Sequence, residues 1–224
     1  MSDLHDRVLR RVDAVFFDCD GVLLDSVHVK ERQFRAMMTE RIPHLVEQAM
    51  DYYWRNGGTS RLAKFEWIWA NLVGAPLTKS EIADLGREFG RRVFRGVVEC
   101  PMLPGAKEFL DDFAEALPCF VLSGTPDAEL KGVIEARGLS RYFRDVCGSP
   151  PDKTNTGRRL LGEHGLNRGR VCFVGDALTD LEAARNLGIR FIGIDGPHLT
   201  DFVGADVTMI PDLHSLAKAI AEGD

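Results

Sequence analysis

Cysteine is sparse and unpatterned in this chain. The five, Cys19, Cys100, Cys119, Cys147 and Cys172, are odd in number, scattered, and include no Cys-x-x-Cys pair. That scatter predicts reduced thiols in a cytosolic protein rather than a disulfide framework. Long apolar runs are missing too, and none approaches the length of a membrane span. The opening MSDLHDRVLRRVD is charged and lacks the apolar stretch of a secretory leader, so none is expected. Positive charge is in deficit: 28 Lys and Arg against 34 Asp and Glu give a net charge of -6. The deficit argues against nucleic acid or an anionic membrane as partner. It leaves an anionic small substrate open, because a metal and a few local cations can reverse the field inside a pocket. There is no internal repeat and no low-complexity segment. What is present, 45% hydrophobic residues over 224 positions, suffices for one substantial core, or for one core with a smaller appended domain.

The chain is organised around VDAVFFDCDGVLLDS, residues 12–26. Ala14-Val15-Phe16-Phe17 reads as a short buried strand. Asp18 and Asp20 follow at its carboxyl end, then Gly21. Two carboxylates at i and i+2 share a face of a regular strand, and such a pair is costly in a buried place unless a cation lies between them. The spacing points to a metal, although an acidic turn leaving the core has the same composition. Cys19, between them, is expected on the opposite face; a catalytic thiol is the alternative.

Residues 27–97 change character. Val27–Glu40, Val46–Arg55, Ser60–Leu72 and Ser80–Phe94 carry apolar residues at helical spacing with no strand among them. Thr78 and Glu81 are placed for a capping box. This predicts a helical domain over 27–97, with hinges near Asp25–Val27 and at Cys100–Gly105. After Pro101 short apolar strands alternate with helices: Gly105–Ala116 helix, Pro118–Leu122 strand, Asp127–Arg137 helix, Tyr142–Gly148 strand or turn, Thr154–His164 helix, Arg170–Val174 strand, Leu178–Leu187 helix and Ile189–Ile194 strand. A last strand over residues 206–209 and a helix over Leu213–Ala221 follow, and residues 1–11 read as a loose lead-in. The alternation predicts a parallel sheet with helices on both faces, so the fold is α/β with residues 1–26 and 98–224 as its core domain and 27–97 as an all-helical insertion.

The strand ends collect one kind of chemistry. Asp18 and Asp20 end the first strand, Ser123, Gly124 and Thr125 the second. Gly148–Asp152 leads to Lys153 at a helix start, and Gly175, Asp176 and Asp180 end the fourth. In an open parallel sheet these ends converge on one crevice. Several carboxylates suit a hard cation such as Mg²⁺, while a hydroxyl, backbone N–H groups and a lysine suit a phosphoryl group. A carboxylate held by the lysine and facing a metal-bound phosphate can act as nucleophile. Singly, each residue has an ordinary role. Ser123 reads as a helix cap or turn, Lys153 as a solvated charge, Asp180 as a first-turn acid, and Asp195-Gly196 as a turn.

Taken in order, FFDCDGVLLDS, LSGT, GSPPDK and FVGDALTD resemble the four motifs of the haloacid dehalogenase (HAD) superfamily. The inserted helical stretch resembles the cap of its phosphoglycolate phosphatase and β-phosphoglucomutase branch. The resemblance implies a Rossmann-like core and a cytoplasmic, Mg²⁺-dependent enzyme. Asp18 would be the nucleophile. Asp20 would act as general acid and then base, its backbone carbonyl also binding the metal. Ser123 and the Gly124 N–H would bind the phosphoryl oxygens, with Lys153 offsetting charge. Asp176 would ligate the metal, and Asp180 would hold a metal water or orient the loop, completing a metal set of Asp18, Asp20, Asp176 and Asp180.

Specificity is expected in the insertion. Gly57-Gly58-Thr59-Ser60-Arg61 is similar to the Gly-x-Ser-Arg substrate loops of that branch, which would make Gly58, Ser60, Arg61 and Lys64 substrate contacts. A helix start capped by Thr59 or Ser60 is the other reading. Lys30, beside the hinge, is a further candidate, whereas Phe65, Trp67, Ile68, Trp69 and Leu72 read as core of the insertion. The reaction expected is hydrolysis of a small phosphorylated metabolite, a sugar phosphate among the candidates. A phosphomutase using the same residues and a non-catalytic binding module on the same fold are the alternatives. A monomer is expected, since no exposed apolar stripe is evident.

Overall fold

The protein is described by a computed structural model over residues 12–196, 202 and 207–221. The expected lead-in over residues 1–11, and residue 206 of the last expected strand, lie outside these residues. Six strands form one parallel sheet: β1 (Ala14–Phe17), β2 (Cys119–Pro126), β3 (Asp145–Ser149), β4 (Val171–Gly175), β5 (Arg190–Ile194) and β6 (Thr208–Ile210), in the order β3-β2-β1-β4-β5-β6. β1 is central, and Val15 is in register with Cys119 on one side and Cys172 on the other. Helices cover both faces, so β1 reads as a continuous apolar run instead of an alternating one. On one face Phe16 meets Phe120 and Phe173 edge-on beneath Leu160 and Leu187. On the other, Phe17 meets Phe109 at 5.5 Å.

Five helices belong to this α/β layer: α5 (Ala106–Phe113), α6 (Asp127–Ala136), α7 (Lys153–Glu163), α8 (Leu178–Leu187) and α9 (Leu213–Ala221). From β1 the chain builds outward to β3 on one side, then returns to place β4, β5 and β6 on the other. The carboxyl ends of β1 and β4 therefore flank the point where strand order reverses, where such sheets open a crevice.

The stretch between β1 and β2 is helical: α1 (Val27–Arg41), α2 (Val46–Arg55), α3 (Arg61–Ile68, continuing as a π-helical turn over Trp69–Val73) and α4 (Lys79–Glu99). Phe34 of α1, Phe65 of α3 and Phe89 of α4 pack together, the first two stacked at 5.3 Å. The capping box is present: the Glu81 N–H donates to Thr78 Oγ1, and the Thr78 N–H to the Glu81 carboxylate. α4 runs five residues beyond the expected end at Phe94, because nothing breaks the helix before Pro101. β2 also runs further than expected, through Ser123 to Pro126, where it pairs again with Ser149 of β3. Trp67 departs from its expected place in the core. It is 37% exposed and stacks on Tyr52, because two residues on from buried Phe65 a helix has turned to its other side. Among the described residues, no helix is long and apolar enough to cross a membrane.

Candidate active site

Asp18 leaves the end of β1 and Asp176 the end of β4, while Asp180 stands in the first turn of α8. All three are buried, and one carboxylate oxygen of each lies within 4.8 Å of the others. Gly21, at φ +78°, allows this approach: a β-carbon there would lie 2.2 Å from Asp176 Oδ2. Lys153, at the start of α7, places its ammonium 3.1 Å from Asp18 and 2.5 Å from Asp180. Burial pushes Asp18 up to about 7; Lys153 opposes the rise, and Asp180 and Asp20 add to it. Asp176 is raised well above the usual carboxylate range by burial and then by the charges of Asp18 and Asp180. Burial would lower Lys153, but Asp18 and Asp180 outweigh it and hold the ammonium protonated. Three buried carboxyls thus share one lysine, and without a further cation the crowding is relieved by protonation, at Asp176 above all.

Asp20 turns its carboxylate elsewhere. It accepts from Lys30 Nζ and Ser26 Oγ, each at 2.5 Å, and from Thr125 Oγ1 at 3.1 Å. Lys30 also donates to Thr125 at 2.8 Å. Burial alone would raise the pKa of Asp20, but the Lys30 charge and these hydrogen bonds outweigh it and hold the carboxyl below its ordinary value. The structure thus brings together the carboxylates of Asp18, Asp176 and Asp180, while Asp20, expected at the metal through its backbone carbonyl, directs its carboxylate to Lys30, Ser26 and Thr125. Cys19 points into the core at 2% exposure, its thiol held protonated by burial, while its N–H donates to Asp18. That leaves no reactive thiol at the position.

Ser123 and Gly124 lie opposite, on the extended end of β2. Ser123 is buried and its Oγ accepts the Thr125 N–H at 3.1 Å. Both line a cavity of about 100 Å³ together with Asp18, Asp20, Lys153 and Asp176. The other wall comes from the helical stretch, where Gly58, Arg61 and Lys64 line the cavity. Ser60 does not. It caps α3, accepting the Ala63 N–H at 3.3 Å, and faces an adjoining hollow. Arg61 is held by Glu129 of α6. Thr125, expected with Ser123 and Gly124 at this strand end, lines the cavity, and Tyr53 joins it there without having been expected, as does Glu129 in its surround. Thr125 was signalled by its place in the LSGT stretch, while Tyr53 and Glu129 carry no local signal.

The model of one family, haloacid dehalogenase-like hydrolase, matches residues 12–188. The chain belongs to that family. Among curated relatives of this haloacid dehalogenase-like hydrolase is the phosphoglycolate phosphatase of Vibrio parahaemolyticus, 25% identical over 196 residues that cover 82% of this chain and 83% of that one. The phosphoglycolate phosphatase of Haemophilus influenzae strain 86-028NP is 25% identical over 187 residues, covering 80% and 83%. Among solved structures, CbbY of Rhodobacter sphaeroides, in complex with phosphate, superimposes with a TM-score of 0.75 at 19% identity, over 94% of this chain and 99% of that one. β-Phosphoglucomutase of Clostridium difficile does so at 0.73 and 15%, over 94% and 98%. These likenesses extend the shared fold to nearly the whole chain.

Proposed function

We propose that the chain is a Mg²⁺-dependent phosphatase that hydrolyses a small phosphorylated metabolite, sugar phosphates among the candidates, through an aspartyl phosphate on Asp18. In this reading residues 27–97 are a cap over the core domain of residues 1–26 and 98–224. One observation carries it: the carboxylates of Asp18, Asp176 and Asp180 cluster, Lys153 pairs with Asp18 and Asp180, and Asp18, Asp176 and Lys153 line one cavity with Ser123 and Gly124. The donor set is all oxygen, and three carboxylates, once ionised, exceed the one lysine in charge, which fits a hard divalent cation. Held by Asp18, Asp176, Asp180 and the Asp20 carbonyl, Mg²⁺ would offset that charge and the charge of the phosphoryl oxygens.

The chain's own groups supply the rest. A carboxylate oxygen of Asp18 attacks phosphorus, the bond to the leaving oxygen breaks, and that oxygen takes a proton from Asp20. Water then attacks the phosphorus of the aspartyl phosphate, Asp20 takes its proton, and phosphate leaves as Asp18 is restored. Ser123 and the Gly124 N–H hold phosphoryl oxygens, and Lys153 neutralises charge on Asp18 and the phosphate. Lys30 favours the Asp20 carboxylate, the form the second half needs, so the proton given up in the first half is one Asp20 takes from solvent before attack. The enzyme is further read as a cytoplasmic monomer; its five cysteines are free and buried.

The test is phosphate release from a panel of sugar phosphates, nucleotides and phosphorylated acids, with Mg²⁺ and with EDTA. Mg²⁺-dependent release from one compound above the rest, abolished in Asp18→Asn, is expected. Turnover only with a sugar bisphosphate activator would assign a mutase, and undiminished release by Asp18→Asn would remove Asp18 as nucleophile.

A further inference from the structure

The two oxygens of the Asp20 carboxylate are held unequally. Oδ2 accepts from Lys30 Nζ at 2.5 Å and from Thr125 Oγ1 at 3.1 Å. Oδ1 accepts from Ser26 Oγ at 2.5 Å and, among the described residues, from nothing else. Each carboxylate oxygen has two lone pairs. Both are engaged on Oδ2, and one stays open on Oδ1.

Thr125 completes this asymmetry. Lys30 Nζ also donates to Thr125 Oγ1, at 2.8 Å. An ammonium only donates and a hydroxyl has a single proton. Thr125 therefore accepts from Lys30 and spends its proton on Asp20. The backbone around it fixes its aim. Pairing between β2 and β3 lapses after Leu122 and resumes at Pro126, an irregularity of the kind that redirects a side chain beside a site. Ser123 Oγ holds the Thr125 N–H at 3.1 Å. Gly148 of β3 lies so close that a β-carbon there would be 2.5 Å from the Thr125 carbonyl oxygen, and its own N–H donates to Asp127 at 3.0 Å. Thr125 is itself buried. Valine has the same shape and would fill that space; the hydroxyl is what reaches Asp20.

We propose that Thr125 is a positioning residue, whose hydroxyl holds Asp20 so that Oδ1 is the oxygen that exchanges the proton with the leaving group. As the bond from phosphorus to the leaving oxygen breaks, the proton on Oδ1 passes to that oxygen. Asp20 is left as a carboxylate, with Oδ2 still held by Lys30 and Thr125. Without the Thr125 hydroxyl, Oδ2 keeps only Lys30, whose long side chain fixes direction poorly, and the carboxyl can turn. The inference rests on the phosphatase reading, in which Asp20 protonates the leaving oxygen, and adds to it a residue that acts through Asp20.

The experiment compares kcat/KM for two short phosphates, glycerol 1-phosphate and acetyl phosphate, in the wild type, Thr125→Val and Thr125→Ser. An alkoxide is a strong base and needs the proton to leave, whereas acetate is a stable anion and leaves without it. The ratio kcat/KM reports the steps up to departure of the leaving group, so the later attack of water does not enter. In Thr125→Val it should fall about 30-fold for glycerol 1-phosphate, a part of what a well-placed general acid supplies, and by less than about threefold for acetyl phosphate. Thr125→Ser keeps the hydroxyl and should recover most of the loss. An equal fall for both compounds overturns the inference, because Thr125 then acts on phosphate binding or on the fold. So does an unchanged value for glycerol 1-phosphate, or a loss that Thr125→Ser fails to recover. Release by the wild type from acetyl phosphate alone overturns it too, since no acid would then be at work, and leaves the attack by Asp18 standing. Release from neither compound overturns the phosphatase reading and, with it, this role for Thr125.

Discussion

Arg61 and Glu129 are joined by two parallel hydrogen bonds, Nη1 to Oε2 at 2.9 Å and Nη2 to Oε1 at 2.6 Å, that tie α3 of the helical stretch to α6 of the α/β layer. Both side chains are largely buried, and the guanidinium also rests 4.7 Å from the centre of the Phe89 ring. A bidentate pair fixes orientation as well as distance. Removing one partner strands a buried charge, so Glu129→Gln should cost about 3 kcal/mol. In a chain of this size that is a fall of roughly 6 to 12 °C in Tm. Arg61→Met combined with Glu129→Leu removes both charges and should recover most of the loss. Thermal unfolding of the wild type, Arg61→Met, Glu129→Leu and the double variant measures the coupling, and costs that simply add in the double variant would show the pair contributes nothing as a pair.

The three buried carboxylates of Asp18, Asp176 and Asp180 predict a second stability effect. A cation that binds the folded cluster but not the unfolded chain stabilises by about 2.7 kcal/mol at a hundred times its Kd. Millimolar Mg²⁺ should therefore raise Tm by several degrees, and EDTA should reverse the rise. Asp176→Asn should abolish the response. Without metal it should melt no lower than the wild type, because it replaces an acid that burial already drives toward its neutral form. A full Mg²⁺ response in Asp176→Asn would remove Asp176 from the ligand set.

How far the site could be read from the sequence follows from where its parts lie. Asp18, Ser123 and Asp176 stand at the ends of short apolar runs, and in a parallel sheet one topological rule brings such ends together whatever else the chain does. Lys153 and Asp180 sit at helix starts next to those ends, so they were carried along. The direction of the Asp20 side chain was not legible, because it is set by Lys30 and Ser26 on the far side of a turn and by Thr125, 105 positions away. Glu129 was silent for a similar reason. An acid in the first turn of a helix already has a sufficient local explanation in the helix dipole, and its partner on α3 is 68 residues away. Ser60 shows the opposite case: its chemistry suits a ligand, but the free N–H groups at the start of α3 claim it first.

Gly58 predicts a kinetic effect. It has φ +73°, and a β-carbon there would lie 1.8 Å from Thr179 Oγ1 and 3.2 Å from Ala177 Cβ. The loop that carries it closes against the first turn of α8, directly beside Asp180. Gly58→Ala must therefore lift the loop off the core or strain the backbone, and loss of closure admits water and loosens the substrate. We expect KM to rise about tenfold with a fall in kcat, since small misplacements at a site cost one to two orders of magnitude. Thr179→Ala removes the struck hydroxyl, which has no hydrogen-bond partner among the described residues, and should partly rescue Gly58→Ala. If the defect persists in the double variant, backbone strain at position 58 is the cause and the contact with Thr179 is not.

Lys64 makes stability depend on pH in a definite direction. Its folded value of about 7 lies below the ordinary 10.5 of an unfolded lysine. Between those values the unfolded chain binds a proton that the folded chain does not, so this residue's contribution to stability rises with pH across that window. Below pH 7 both states are protonated, and the full penalty of burying the ammonium is present. Lys64→Met carries no such penalty at any pH. The variant should therefore be more stable than the wild type near pH 6, and its advantage should shrink from pH 7 upward, by at most about 1.4 kcal/mol per pH unit. Denaturant unfolding of both proteins from pH 6 to pH 9 measures this, the shared titrations cancelling in the difference. An advantage constant over that range would mean that Lys64 keeps its proton in the folded protein and that its burial does not shift it as argued.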